Sequence, residues 1–245
     1  MAIQKIVSLV PSLTELMVDL GLHKELVGRT RFCVHPKKVV ADIPIIGGTK
    51  NPNVEAIRKL SPDLVIASKE ENRQEDVEAI RRFSEVLVTD IQTISDALLA
   101  IHDVGSACGK QEKAAALIEN IQDELERLPD AEPLRVCYLI WRDPWMTIGG
   151  DTYIHDVLGK WHFENVFGEQ NRYPELSLDD IAQEKPDLVL LSSEPYPFKE
   201  AHLKEVGDAC NASDVMLVNG EWFSWYGSRM LPSFRKLNMF RKAIS

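Results

Sequence analysis

No run of apolar residues in this 245-residue chain approaches the ~20 needed to cross a bilayer as a helix. Basic residues are in deficit: 28 Lys and Arg stand against 38 Asp and Glu, for a formal charge of −10. Nucleic-acid binding needs clustered Lys and Arg, so this balance excludes nucleic acid as a partner. It also argues against an anionic membrane surface and suits docking onto a basic protein surface. Cysteine is sparse. Cys33, Cys108, Cys137 and Cys210 stand singly, in no metal-ligand spacing, and read as buried or half-buried free thiols. Catalytic glycine patterns are missing: there is no GxSxG elbow, Walker loop or GxGxxG after a strand. Gly47-Gly48 and Gly149-Gly150 read as turn pairs. Glu70 and Glu71, placed at the start of a helix expected over 70–83, are adjacent and so do not face one another. The usual enzyme signatures are thereby excluded. Met1 to Lys5 leads directly into Ile6-Val7-Ser8-Leu9-Val10, too short for a signal-peptide core. The chain therefore reads as cytoplasmic, or as a mature form whose leader has been removed.

What is present is an internal echo. Val54-Glu55-Ala56-Ile57-Arg58-Lys59-Leu60-Ser61-Pro62-Asp63-Leu64-Val65-Ile66-Ala67-Ser68 recurs as Leu178-Asp179-Asp180-Ile181-Ala182-Gln183-Glu184-Lys185-Pro186-Asp187-Leu188-Val189-Leu190-Leu191-Ser192, 124 positions later. Each copy reads as a short helix, a Pro-Asp turn and a strand. Proline cannot continue the helix and pushes the residue before it out of the α region. An unbroken apolar run such as 188–191 suits a parallel strand covered on both faces. A looser echo, strand then helix, links 6–9 and 12–21 with 136–140 and 151–159. The chain thus predicts an α/β fold of two lobes with similar topology, at 1–92 and 133–245. Between them, over 93–132, Leu98, Ile101, Val104, Ile118, Ile121 and Leu125 repeat at helical spacing. Ser95 is a suitable N-cap, Gly109 a candidate interruption, and Pro129 follows the end. One long backbone helix over 95–128 is expected, as a spine joining the lobes or as one arm of a coiled coil.

Open α/β sheets take ligands at the carboxyl ends of their strands. Trp141-Arg142-Asp143-Pro144-Trp145 follows the strand expected at 136–140, and Glu221-Trp222-Phe223-Ser224-Trp225-Tyr226 follows that at 215–218. Flat aromatic faces there suit a large planar or macrocyclic ligand. The competing reading is lobe core, and turn contexts favour the ligand. Trp161, at an apolar helix end, reads as core. In the first lobe the matching loop is Arg29-Thr30-Arg31-Phe32-Cys33-Val34-His35. Arg29 and Arg31 would meet carboxylates or phosphate near the rim of the site, and His35 and Cys33 suit a cobalt or iron centre. The competing reading is a solvated turn over a buried thiol. His155 and His162 have no partner at ligand spacing.

Taken in order, Ile6 to Glu15, Asn53 to Ile57, Lys59 to Ala67, Glu164-Asn165-Val166-Phe167 and Glu221-Trp222-Phe223 resemble the periplasmic cobalamin-binding proteins and their iron-chelate-binding relatives, which serve ABC importers. The resemblance covers nearly the whole chain. It implies the helical-backbone class of substrate-binding protein, with the ligand in the cleft between two lobes joined by a long helix. It implies no enzyme activity and no intrinsic cofactor. The implied ligand is a cobalt or iron chelate: a corrinoid, a haem or a ferric siderophore. It implies ligand contacts at Phe32 and Trp222, while two tryptophans of the cobalamin binders fall at Thr49 and Ser68. It also implies that Glu55 and Asp179, one acid per lobe, dock a monomer onto an ABC permease dimer. The alternative is a cytoplasmic ligand sensor or carrier with the same fold and no importer.

Overall fold

The computed structural model describes residues 3–210 and 214–244. Met1 and Ala2, where the amino-terminal reading begins, lie outside them. The chain divides into two compact units. The first comprises Met1–Ile91, Ser95–Asp123 and Tyr226–Leu231, and the second Gln92–Ile94, Glu124–Trp225 and Pro232–Ser245. This differs from the sequence boundaries: most of the spine, and the short segment 226–231, belong with the first unit.

The first unit runs β1 (Ile6–Ser8), α1 (Pro11–Asp19), β2 (Leu26–Arg29), α2 (Lys37–Val40), α3 (Val54–Leu60), β3 (Leu64–Ser68), α4 (Gln74–Arg81), β4 (Glu85–Thr89), α5 (Ile94–Ala107) and α6 (Gln111–Leu125). Its sheet is parallel, in the order β2-β1-β3-β4. The second runs β5 (Leu134–Leu139), β6 (Trp145–Met146), α7 (Tyr153–Lys160), β7 (Phe163–Asn165), β8 (Glu175–Leu176), α8 (Leu178–Glu184), β9 (Leu188–Ser192), α9 (Glu200–Cys210), β10 (Asp214–Val218), α10 (Glu221–Ser224) and α11 (Met230–Ala243). Its main sheet is parallel, in the order β7-β5-β9-β10. β5 stands where β1 stands, β7 where β2, β9 where β3 and β10 where β4. The fold is α/β with two lobes of one topology, as the echo predicts.

The echo has a physical basis at each step. Asn53 caps α3 by accepting from the Ala56 amide at 2.9 Å, and Ser177 caps α8 in a reciprocal box with Asp180. Ile57 and Ile181, at matching places, are fully buried. Both helices end on a left-handed residue, Ser61 at φ 49° and Lys185 at φ 50°, where the coming proline forbids another helical turn. The aspartate of each Pro-Asp turn then pins the neighbouring strand. Asp63 accepts from the Gln4 and Lys5 amides at 2.8 and 2.9 Å, and Asp187 from the Arg135 amide at 2.9 Å. β3 and β9 are buried along their whole length, whereas β4 and β10 share an exposed edge pattern. Val7, Leu9, Ile57, Val65 and Ala67 centre one core, and Cys137, Leu139, Ile181, Val189 and Leu191 the other.

Those backbone donors hold the Asp63 carboxyl below the ordinary aspartate range. A depressed carboxyl contributes stability above its unfolded pKa, and that contribution is lost as pH falls through the folded one. Asp63→Asn is therefore expected to be less stable than the parent at neutral pH, with the difference shrinking below about pH 4. Urea unfolding at a series of pH values measures it, and a difference independent of pH would contradict the assignment.

The spine is corrected in one respect. It is helical, but in two pieces. Gly109 takes φ +66°, the Lys110 amide turns back to the Gly105 carbonyl at 2.7 Å, and a Cβ on Gly105 would lie 2.4 Å from that of Ala114. Nine residues of straight helix would separate those positions by ~13 Å, so α6 leaves at an angle to α5. The helix expected over 70–83 begins only at Gln74, which leaves Glu70 and Glu71 in the turn after β3. No helix among the described residues is long and apolar enough to cross a membrane. The four thiols are free, as read, with Cys108 half-buried and the others buried.

Candidate functional site

In the second unit, the loops after β5, β9 and β10 gather at the carboxyl end of the sheet. Tyr138, fully buried in β5, donates to Ser192 Oγ at 3.1 Å. Ser192 in turn donates to the Glu194 carbonyl at 2.6 Å, fixing the turn after β9. Ser193 Oγ accepts from the Gly220 amide at 2.9 Å, which ties that turn to the one after β10. Glu194 Oε1 accepts from Ser224 Oγ at 2.7 Å and from the Trp225 indole at 2.8 Å. Beside this network opens a hollow of about 590 Å³, lined by Ser193, Glu194, Phe198, Leu217, Asn219 and Glu221 among others.

One wall continues as an aromatic ladder. Phe198 stacks on Trp145 at 6.0 Å with planes 6° apart, meets Tyr196 edge-on at 4.8 Å, and Tyr196 meets Trp141 edge-on at 5.8 Å. Such geometries contribute about 0.5–1.5 kcal/mol per pair beyond area burial. Trp141 closes the ladder with 39% of its surface exposed. Arg142 lies over the Trp145 ring at 5.5 Å and grips Glu205 with two bonds of 2.7 and 3.2 Å. Those bonds hold the Glu205 carboxyl below its usual range. Trp222 rides on α10, half-buried, against Phe240 at 6.5 Å.

In the first unit, the turn after β2 exposes Phe32, 52% accessible, with the Arg31 guanidinium 5.8 Å from its ring. Below it, the Cys33 thiol receives the Thr14 hydroxyl at 3.0 Å and lies 3.2 Å from that of Thr30. Burial pushes this thiol pKa up, so it suits packing rather than ligation. His35 is half-buried. Among the described residues, no group of three or more His, Cys, Asp or Glu is placed to hold a metal ion.

Two expectations are corrected. Arg29 is not at a rim: it is buried, and donates to the Val40 carbonyl at 2.6 Å and the Thr30 carbonyl at 3.1 Å. As the last residue of β2 it folds inward and holds the loop that carries Phe32. Tyr226 is buried too. Its hydroxyl lies 3.4 Å from Glu71, and burial with that carboxylate pushes the phenol well up. Trp161 is core, as read, with no exposed surface. Glu55 and Asp179 are both exposed, one in each unit, in the first turns of α3 and α8. The sequence reading missed Glu194, Tyr196 and Phe198. The signal was there: Ser193-Glu194-Pro195-Tyr196-Pro197-Phe198 is an aromatic, proline-rich turn directly after a buried strand.

Gly220 is a tight point in this assembly. A Cβ there would meet Ser192 Oγ at 2.4 Å and Glu194 Cγ at 2.6 Å. Gly220→Ala is expected to lose about 1–3 kcal/mol through overpacking, read as a lower urea midpoint. An unchanged midpoint would show that the turn yields freely.

Comparison with known proteins agrees with this architecture. An uncharacterized ABC transporter substrate-binding lipoprotein of Bacillus subtilis, YvrC, is 30% identical over 200 residues, or 76% of this chain; the match spans 63% of that relative's length. A vitamin B12-binding protein of Pectobacterium carotovorum is 25% identical over 250 residues, covering 99% of this chain and 90% of its own. The apo structure of a periplasmic heme-binding protein, RhuT of Roseiflexus sp. RS-1, superposes with a TM-score of 0.84 over 99% of both chains at 21% identity, which shows the shared fold. The sequence model of the periplasmic binding proteins matches residues 6–210, and the chain belongs to that family.

Proposed function

We propose that this protein is a substrate-binding protein for a metal chelate or macrocycle, a corrinoid, haem or ferric siderophore, which it delivers as a monomer to an ABC importer from an extracytoplasmic position. The observation that carries the reading is the open hollow at the ends of β9 and β10 with an aromatic ladder along its wall. Its volume of about 590 Å³ falls within the ~300–1,000 Å³ of small-molecule sites. Phe198 lines the hollow, Tyr196 packs edge-on against Phe198, and Trp141 packs edge-on against Tyr196 with part of its surface exposed. Trp222 and Trp225 come from the neighbouring turn, and Phe32 and Arg31 are exposed in the first unit. His35 is kept as a contact from the same loop. Families of this kind bind and hand over rather than convert. The relatives' names support a corrinoid or haem as ligand and an ABC transporter as partner.

The test is a titration of the purified protein with a panel of corrins, haems and ferric chelates. Tryptophan fluorescence is expected to quench with at least one of them. At a hundredfold excess over Kd, that ligand is expected to stabilise the native state by about 2.7 kcal/mol, with a matching rise in Tm. A broad panel that gives neither quenching nor stabilisation overturns the reading.

A further inference from the structure

The turn after β10 holds a reactive backbone step. Asn219-Gly220 is the chain's single Asn-Gly dipeptide, and glycine has no side chain to obstruct ring closure through its own nitrogen. Asn219 is exposed on the lining of the hollow, so water reaches its side chain. Its Oδ1 accepts from the Glu221 amide at 3.0 Å. A donor on that oxygen makes Cγ a better electrophile and supports the charge that gathers there during attack. The nucleophile, by contrast, is held back. The Gly220 amide donates to Ser193 Oγ at 2.9 Å. The Gly220 carbonyl accepts from the Phe223 and Ser224 amides at 3.0 Å each, and its φ of −59° and ψ of −34° are helical.

We propose that Asn219 is a self-modification site on the wall of the hollow, and that the Ser193 hydroxyl is the brake on it. The step balances with water and hydroxide alone. Hydroxide takes the Gly220 amide proton, and the nitrogen attacks Asn219 Cγ. The Cγ–Nδ2 bond breaks, and ammonia leaves with a proton from water, which returns the hydroxide. One water molecule then opens the five-membered imide at either carbonyl. Opening at Cγ gives an aspartate at that position. Opening at the main-chain carbonyl gives an isoaspartate, whose chain runs through Cβ. Net, one water is consumed and one ammonia released. Either product adds a carboxylate to a wall that Glu194 and Glu221 already line. The isoaspartate also adds a backbone atom next to Gly220, where a single Cβ would already lie 2.4 Å from Ser192 Oγ. The inference goes beyond the chelate-binding reading and stands apart from it, since no ligand enters the experiment.

The full chain is held at mildly alkaline pH, folded and, in parallel, unfolded in urea. Mass spectrometry follows the gain of one mass unit at Asn219 and the isoaspartate it leaves. Fragment ions separate Asn219 from Asn211 within the tryptic peptide 205–229. Conversion in the folded parent is expected to be about tenfold or more slower than in urea, because the turn must open first. Folded Ser193→Ala is expected to convert about fivefold or more faster than the parent, the equivalent of one lost hydrogen bond. Ser193→Thr keeps the hydroxyl and is expected to stay within about twofold of the parent. Urea midpoints establish that both variants are folded during the incubation. Ser193→Ala converting at the parent's rate, or Ser193→Thr converting as fast as Ser193→Ala, overturns the brake. If Ser193→Ala does not fold, the parent decides: equal rates folded and unfolded overturn the brake. No gain at Asn219 even in urea overturns the site itself.

Discussion

Trp161→Ala is expected to lose about 3–5 kcal/mol of folding stability from its cavity alone, with a further ~1–3 kcal/mol for a buried acceptor left without its donor. Trp161 has no exposed surface and packs on Phe234 with ring centres 4.7 Å apart. Its indole donates to Asn238 Oδ1 at 2.9 Å, and Asn238 donates to the Glu124 carbonyl at 3.2 Å. Its own carbonyl accepts from the buried Arg241 at 3.0 Å. The residue thus fastens the end of α7 to α11 and, through Asn238, to Glu124 near the end of α6. Removing it opens a space the size of a bicyclic ring, which neighbours held by hydrogen bonds fill poorly. Trp161→Phe separates the two contributions. It keeps an aromatic ring against Phe234 and orphans Asn238, so a loss of about 1–3 kcal/mol is expected. Urea unfolding followed by circular dichroism measures both. Equal losses in the two variants would show that the hydrogen bond, not the volume, sets the cost.

How much of this was legible depends on how local the determinant is. α3 with β3, and α8 with β9, were readable because each piece is specified within about fifteen consecutive residues: a cap, one buried isoleucine, a proline stop and an unbroken apolar run. The pairing of Asp63 with the Gln4 and Lys5 amides was not, since it joins positions far apart in the chain. The break at Gly109 was visible as a candidate, yet the apolar period runs through it on both sides, and periodicity alone cannot report a change of helix direction. Arg29 was misplaced because its type predicts exposure. Backbone carbonyls of Thr30 and Val40, which no pattern of side chains announces, satisfy its guanidinium. Tyr226 was misplaced for a related reason: the chain returns to the first unit over Tyr226–Leu231, directly after the aromatic turn to which sequence proximity assigned it. For the candidate site, the rule that ligands gather after strands points to the turns that carry Trp141, Trp145, Trp222 and Trp225. The same rule covers the turn after β9, which supplies Glu194 and the middle of the ladder.

Glu55→Ala combined with Asp179→Ala is expected to lower ligand-stimulated ATPase activity of the reconstituted importer by about tenfold or more, with ligand affinity and unfolding midpoint nearly unchanged. The small effect on folding follows from the structure. Glu55 is 70% exposed and meets Arg58 at 3.4 Å, itself 54% exposed, and such a pair contributes ~0–1 kcal/mol. Neither acid is needed as a cap. Asn53 already serves α3, and Ser177 with Asp180 serves α8. Both carboxylates also lie in the first turn of a helix, where the dipole favours them by only a few tenths of a kcal/mol at the surface. The large effect follows from their placement. The two sit 124 positions apart at matching places in the repeat, one in each unit. Two separated charges fix the orientation of a complex as well as attracting it, which a single charge cannot do. The side-chain-capped helix starts hold each of them on a helix rather than on a loop. Because the proposed contact is between exposed charges, the parent's stimulation is expected to fall between about 0.05 and 0.3 M salt, whereas the residual activity of the double variant is expected to be nearly flat over that range. Charge-restoring Asp179→Glu should retain stimulation, since it keeps the sign and lengthens the reach by one methylene. Full stimulation by the alanine pair would remove these two acids from the docking surface.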